Sequence, residues 1–315
     1  MAKPFTVIIP KTIDDSNFIS SSLPESVPGT PAPGEPPVWN SGATYSIGSR
    51  VVVTTGYHRI YEAVQAITSS PEKDTPPYQL TTHWVEVSPT NRWAAFDTSG
   101  GTFSYSSGAN IVFSFTMDRA TSIALVELTA RSVRIQATAP GYPNYYDQTY
   151  NLGDRAVINN WYDYFTADSF LATELIITDI PAIPSTTFTI TIENNGNPLQ
   201  VGNFIAGTAI ELGNTKYGAK IGIIDYSKKD VNEFGKATIV KRTFSKKMDV
   251  TLDVDNGVID SVAARLNYLR ATPCLWVGAN GAFESLTVYG FYRDYSVEIA
   301  YPTHSICSLQ IEGLV

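Results

Sequence analysis

Apolar and polar residues alternate in short runs along most of the chain, the spacing of two that a half-buried strand requires. Residues 111–115, 123–128, 132–136 and 187–192 read this way and are divided by Gly, Pro and Asn. Strands at that interval predict a β-sandwich or jelly roll over 89–215. Upstream, 50–53 and 57–61 flank Thr55-Gly56 and predict a hairpin. Downstream, 219–225, 237–243, 248–254, 275–277, 285–289, 295–300 and 305–311 are strand-like. Between them the period changes. Apolar residues at 258, 259, 262, 263, 266 and 269 trace one face of a helix over 258–269. Asp255 or Asn256 is placed to cap it, Arg270 complements its C-terminus and Pro273 stops it.

The N-terminal quarter is different. Residues 5–9 form one short apolar run, suited to adding a strand to a neighbour or to serving as a docking arm. Six prolines follow between 24 and 37; each fixes φ and removes a donor, which predicts an extended linker. Residues 38–88 hold Trp39, Tyr45, Tyr57, Tyr61 and Trp84, and a unit this small needs such rings to supply its burial. The expected architecture is therefore mainly β and multidomain: an N-terminal docking arm and Pro-rich linker (1–37), a small β unit (38–88), a β-sandwich or jelly-roll middle domain (89–215) and an α+β C-terminal assembly domain (216–315). No solenoid-type repeat is present.

Composition supports the β reading, with aromatics at 12%. Charged residues reach only 17%, so the surface is rich in uncharged polar groups, as suits a subunit that buries much of itself in an assembly. A net charge of −8 argues against nucleic acid as a partner. The charge is uneven, however: between 214 and 250 nine basic residues face four acidic ones. That excess is expected on a solvated or subunit-facing strand surface, with a polyanion patch as the alternative. No run of 18 apolar residues exists, so no membrane span is expected. The N-terminus lacks the apolar core of a signal peptide. Cytoplasmic synthesis is expected, with Cys274 and Cys307 as buried free thiols.

Candidate chemistry is sparse. His58, His83 and His304 stand at no metal-ligand spacing, and no nucleophile elbow, phosphate loop or dinucleotide fingerprint occurs. No cofactor or metal is expected. Asp253, Asp255 and Asn256 lack the later ligands of a calcium loop. Asp147, Asp154, Asp163 and Asp168 lie among Tyr142, Tyr145, Tyr146, Trp161, Tyr162 and Tyr164. Two such carboxylates would suffice for glycoside hydrolysis, although Asp also punctuates turns. Sugar binding fits Trp39, Tyr57, Tyr45 and Trp84, because flat rings stack on pyranose faces. Trp39 and Tyr57 are the first rings to test, with Trp84 expected in the core.

Residues 38–88 resemble small chitin- and cellulose-binding modules. The resemblance rests on Trp39, Tyr45 with Ile47-Gly48, Val51 to Val53, Gly56, Tyr61-Glu-Ala63, Pro76-Pro77 and Trp84. Ser49 stands where that family usually has Asp, and 64–68 lack its adjacent tryptophans, so the likeness implies the fold more than the activity. Most of the remaining chain resembles siphophage and prophage tail proteins of the baseplate or tail tip. The similar strings are Asn91-Arg-Trp-Ala-Ala-Phe-Asp97, Trp161-Tyr-Asp-Tyr-Phe165, Gly222-Ile-Ile-Asp-Tyr-Ser-Lys228, Phe244-Ser-Lys-Lys-Met248, Leu269-Arg-Ala-Thr-Pro-Cys274 and Ser308-Leu-Gln-Ile-Glu-Gly313. This resemblance implies a non-enzymatic, ring-forming structural subunit of the virion. It would be a trimer or hexamer that contacts other tail proteins, with host-surface polysaccharide as a ligand. The alternative is a virion-borne or secreted glycan hydrolase with an attached sugar-binding module.

Overall fold

A computed structural model describes residues 3–98, 100–153, 161–162, 171–231, 233–279 and 285–314. Its described residues are mainly β. Strands β1 (Lys3–Pro10) and β2 (Phe18–Ser21) precede a three-stranded group of β3 (Arg50–Val53), β4 (Arg59–Ala63) and β5 (Trp84–Pro89). Next come β6 (Ser104–Ser106), β7 (Ile111–Met117), β8 (Ser122–Thr129), β9 (Ser132–Ala139), β10 (Tyr142–Asn151), β11 (Glu174–Ile177) and β12 (Thr186–Glu193). The long β13 (Leu199–Thr215) leads to β14 (Lys220–Asp225), β15 (Lys228–Val231) and β16 (Ala237–Val240). The chain then forms β17 (Phe244–Asp255), helix α1 (Ile259–Tyr268), β18 (Cys274–Val277), β19 (Thr287–Glu298) and β20 (His304–Gly313).

Two cores share β13. Its first half pairs with β8, and their apolar faces meet those of a five-stranded sheet ordered β10-β9-β12-β7-β2. Phe113, Phe115, Ile135, Phe188 and Ile190 are fully buried between the two layers. The alternation read from the sequence explains this directly. In β12, Thr186, Phe188, Ile190 and Ile192 are buried and the threonines between them are only partly so, because successive side chains point to opposite faces. The second half of β13 pairs with β1, and the series β13-β1-β18-β19-β20-β17 returns to β13 through Asn214 and Thr215 opposite Asp253 and Leu252. Six antiparallel strands thus close a barrel, which removes open edges. Phe5, Met248, Leu252, Trp276, Val288 and Leu309 fill it, together with Val262 and Leu266 of α1.

Glycine permits two of the close approaches. A Cβ on Gly290 would lie 2.0 Å from the Glu312 carbonyl oxygen. Gly213, at φ +146°, meets the Asp253 backbone where the barrel closes, at 2.7 Å from an added Cβ. Cys274 and Cys307 are free and buried in the barrel core. Burial pushes their thiols up to about 12 and about 11, so neither supplies a thiolate at neutral pH.

Several expectations differ from the structure. The 5–9 run is not a docking arm but a strand within this chain: β1 is hydrogen-bonded on both edges, to β13 and β18, and its faces are buried in different cores, Phe5 and Val7 in one and Ile8 in another, as a continuous apolar run requires. The Pro-rich segment is no free linker. The buried Ser26 and Leu23 fix it, and Glu35 Oε2 accepts from Ser26 N at 3.0 Å while its Oε1 accepts from Asn91 N at 2.9 Å. The helix lies where its periodicity places it, but neither Asp255 nor Asn256 caps it; the N-cap is Val258, with no side-chain cap bond. Asp255 instead accepts from Gly257 N at 2.7 Å, and Asn256 donates to the carbonyls of Tyr301 and Pro302. Residues 285–289 and 295–300 are not separate strands, since β19 runs through both stretches with a bulge between Tyr292 and Asp294.

Candidate functional site

The ring residues of the small unit divide between its core and its surface. The order β3-β4-β5 forms a sheet whose apolar face carries Val51, Val53, Tyr61, Ala63 and Trp84. Trp84 is 3% exposed and packs edge-on against Tyr45, with ring centroids 5.2 Å apart. Trp84 therefore cannot stack on a ligand, and it leaves the candidate set for the reason it was expected to: burial is what a small sheet needs from its largest ring. Trp39 and Tyr45 are half-buried against the same cluster. The Tyr45 hydroxyl is tied to the Asn40 backbone, accepting from its N–H at 2.9 Å. Tyr57 is 47% exposed and stacks on Tyr78 at 4.1 Å and 17°. Tyr78 was not singled out from the sequence; a lone Tyr after a Pro-Pro pair carries no periodic signal.

Beside Tyr57 lies a cavity of about 200 Å3, lined among others by Asp15, His58, Arg59, Trp93 and Asp97. Its wall is a charged junction between three stretches of chain. His58 adopts φ +51° and lies flat on Trp93, centroids 4.2 Å apart. Its Nδ1 reaches Glu25 Oε1 at 2.8 Å and its Nε2 reaches Asp15 Oδ1 at 2.6 Å. Glu25 also accepts from Thr90 Oγ1 at 2.8 Å and lies 3.5 Å from Arg92 Nη1. Burial alone would lower the imidazole pKa, but the hydrogen bonds and charges of Glu25 and then Asp15 outweigh it and raise the value above the ordinary one. Arg59 donates to both oxygens of Asp97, at 3.2 and 2.9 Å. These groups are spent on one another, so the junction reads as a clamp that fixes the small sheet to the body.

The other sequence candidates are scattered. His83 is 3.6 Å from Glu72 and His304 is 3.7 Å from Asp253. The three histidines do not converge, and no three His, Cys, Asp or Glu side chains group as metal ligands among the described residues. Asp147 accepts from Arg134 Nε and Nη2 at 2.8 and 2.7 Å and from Gln136 at 3.2 Å. The Arg134 bonds hold its carboxyl far below the usual carboxylate range, which suits a structural pair and not a proton donor. Asp154, Asp163, Asp168 and Tyr164 lie outside the described residues.

The basic stretch forms an arm on the barrel. β14 pairs along β17, and beyond it, among the described residues, β15 and β16 pair with each other in a two-stranded sheet. Along this arm Tyr217, Phe234, Ile239, Ile223 and Phe244 are 92%, 94%, 73%, 58% and 54% exposed. All four residues of β16 are exposed. An isolated two-stranded hairpin is marginal in water, and exposed apolar side chains on it are of the kind that interaction surfaces carry. Sequence reading placed a solvated or subunit-facing strand surface here from charge alone, and charge says nothing of the apolar side chains exposed beside it.

No helix among the described residues is long and apolar enough to cross a membrane. Set against known proteins, the chain matches no family model, no curated protein and no solved structure.

Proposed function

We propose that this chain is a structural subunit of a bacteriophage tail tip or baseplate, placed in the virion through contacts with copies of itself and with other tail proteins. The four-part division into N-terminal segment, small sugar-module-like unit, β-sandwich and α+β assembly unit belongs to the same reading. The observation that carries the assembly role is the exposed apolar arm of β14 to β16, and the string resemblances to tail proteins support the virion context. In this reading the arm is buried between subunits, which is why it can afford side chains that a monomer would hide.

The test is the mass of the particle in solution. Light scattering on the intact chain is expected to give a trimer or hexamer. Replacing residues 228–241 by a short Gly-Ser turn is expected to leave a monomer whose β circular-dichroism signal persists. An intact chain that stays monomeric at every concentration would remove the assembly reading. Antibody labelling of whole particles at a site away from the tail tip would remove the placement.

Glycan binding is a second reading, favoured by the Tyr57–Tyr78 stack at the rim of the charged cavity. Host-surface polysaccharide would lie across the exposed ring of Tyr57. Trp39→Ala combined with Tyr57→Ala is expected to lower retention on an immobilised host polysaccharide about tenfold or more, at about 1.4 kcal/mol per decade. Unchanged retention of the double variant would end that idea. A glycan hydrolase remains the alternative function; Asp147, bound up by Arg134 and Gln136, gives it no support, and turnover of host polysaccharide by the purified chain would establish it.

A further inference from the structure

A second cavity, of about 290 Å3, opens where β8, the barrel strand β19 and the root of the arm meet; Val126, Glu127, Glu174, Phe244, Lys246 and Tyr289 are among its lining residues. Glu127 departs from the strand around it. Its φ is +55° in the middle of β8, a conformation that non-glycine residues adopt only when the surroundings impose it. Across from it β13 carries Gly202, where an added Cβ would come within 2.6 Å of Glu127 Cβ and 3.0 Å of its Oε2. The missing side chain at 202 is thus what lets the glutamate lie where it does. The carboxylate delivered to the cavity is exposed and has no ion pair or hydrogen bond among the described residues.

The rest of the lining leaves that charge unmatched. Glu174 is paired with Lys246, so the described lining residues retain one negative charge. Val126, Phe244 and Leu314 supply apolar wall. The Tyr289 phenol, pushed up to about 12 chiefly by burial, stays protonated and neutral. A carboxylate beside apolar wall fits an ammonium carried on an alkyl stem, which is a lysine side chain. The chain itself offers such groups in excess. Residues 216–244 hold seven basic and three acidic side chains, a net +4, while the whole chain carries −8. The remainder is therefore at −12, and opposite charge favours contact between the arm of one copy and the body of another. Lys229 of β15 has no ion pair among the described residues.

We propose that the Glu127 cavity receives a lysine side chain from the 216–244 arm of a second copy of this chain. The inference rests on the assembly reading and gives it a receptor. The test is zero-length carbodiimide coupling on an equal mixture of unlabelled and 15N-labelled intact chain, followed by peptide mass spectrometry. Coupling joins the Glu127 carboxylate to a lysine amine as an amide, and the carbodiimide takes up the water as its urea. The expected product is a mixed-isotope peptide pair linking Glu127 to an arm lysine. Glu127→Gln should abolish that product and weaken self-association about tenfold, with the β signal unchanged. A chain that oligomerises yet links Glu127 only within one isotope, or to no lysine, overturns the proposal and leaves the assembly reading standing. Unaltered association of Glu127→Gln overturns it too. A chain that never oligomerises overturns both.

Discussion

Trp276→Ala is expected to cost about 3–5 kcal/mol of folding stability, the range for deleting a buried Trp or Phe. Trp276 is fully buried at the centre of the barrel. Its indole N–H donates to the Gly290 carbonyl at 3.0 Å, and its ring meets Tyr292 edge-on at 6.1 Å and Phe5 at 6.2 Å. Truncation opens a void among β1, β18 and β19 and leaves a buried carbonyl without its donor. Trp276→Phe keeps most of the volume and loses only the donor, so it should cost less, about 1–3 kcal/mol. Denaturant melts of both variants check this order. If the alanine variant is as stable as the parent, the barrel is not packed around this residue.

The second large effect concerns His58. His58→Ala is expected to cost about 1–3 kcal/mol, because the nearly buried Glu25 carboxylate loses its closest charged donor and keeps, among the described residues, Arg92 at 3.5 Å and Thr90. The Asp15 contact adds little, since Asp15 is about half exposed. The sign of the pH dependence follows from the raised imidazole pKa. A proton held more tightly when folded stabilises the fold fully below the unfolded value, and that stabilisation is lost as pH rises through the folded value. The facing charged groups are Asp15, Glu25 and Arg92, with Asp14, Arg59 and Asp97 around the same cavity. Melting temperature is expected to fall between about pH 6.5 and the folded value for the parent chain and to stay level for His58→Asn. Parallel slopes for the two would show that the imidazole is not the group that titrates.

Many strands of the two cores were legible because their sequences obey the period of two, whereas the short β2, β6 and β11 were not read. β7, β8, β9 and β12 each put one face against a second layer, and the helix declared itself by its change of period. β13 was not legible. Gly202, Gly207 and Gly213 interrupt its apolar pattern, and glycine in a run ordinarily signals a turn. Here two of them lie where another backbone crosses, at Ile9 for Gly207 and Asp253 for Gly213, and Gly202 makes room for Glu127. The Pro-rich segment misled for a related reason. Proline announces extended backbone but says nothing about whether Ser26 and Glu35 will bind it to the body. At the candidate site, sequence found the rings but could not tell Trp84 from Tyr57, since exposure is a property of three-dimensional packing. The clamp around His58 joins positions 15, 25, 58 and 92, and no local pattern links them.

One peptide segment, β13, belongs to both large cores, entering the sandwich at Leu199 and leaving the barrel at Thr215. Neither core can melt without withdrawing a wall from the other, so the two should lose structure in a single cooperative event. A mechanical load applied to the arm would pass through β17 into the barrel ring and from there along covalent backbone into the sandwich. No hinge would intervene to absorb it.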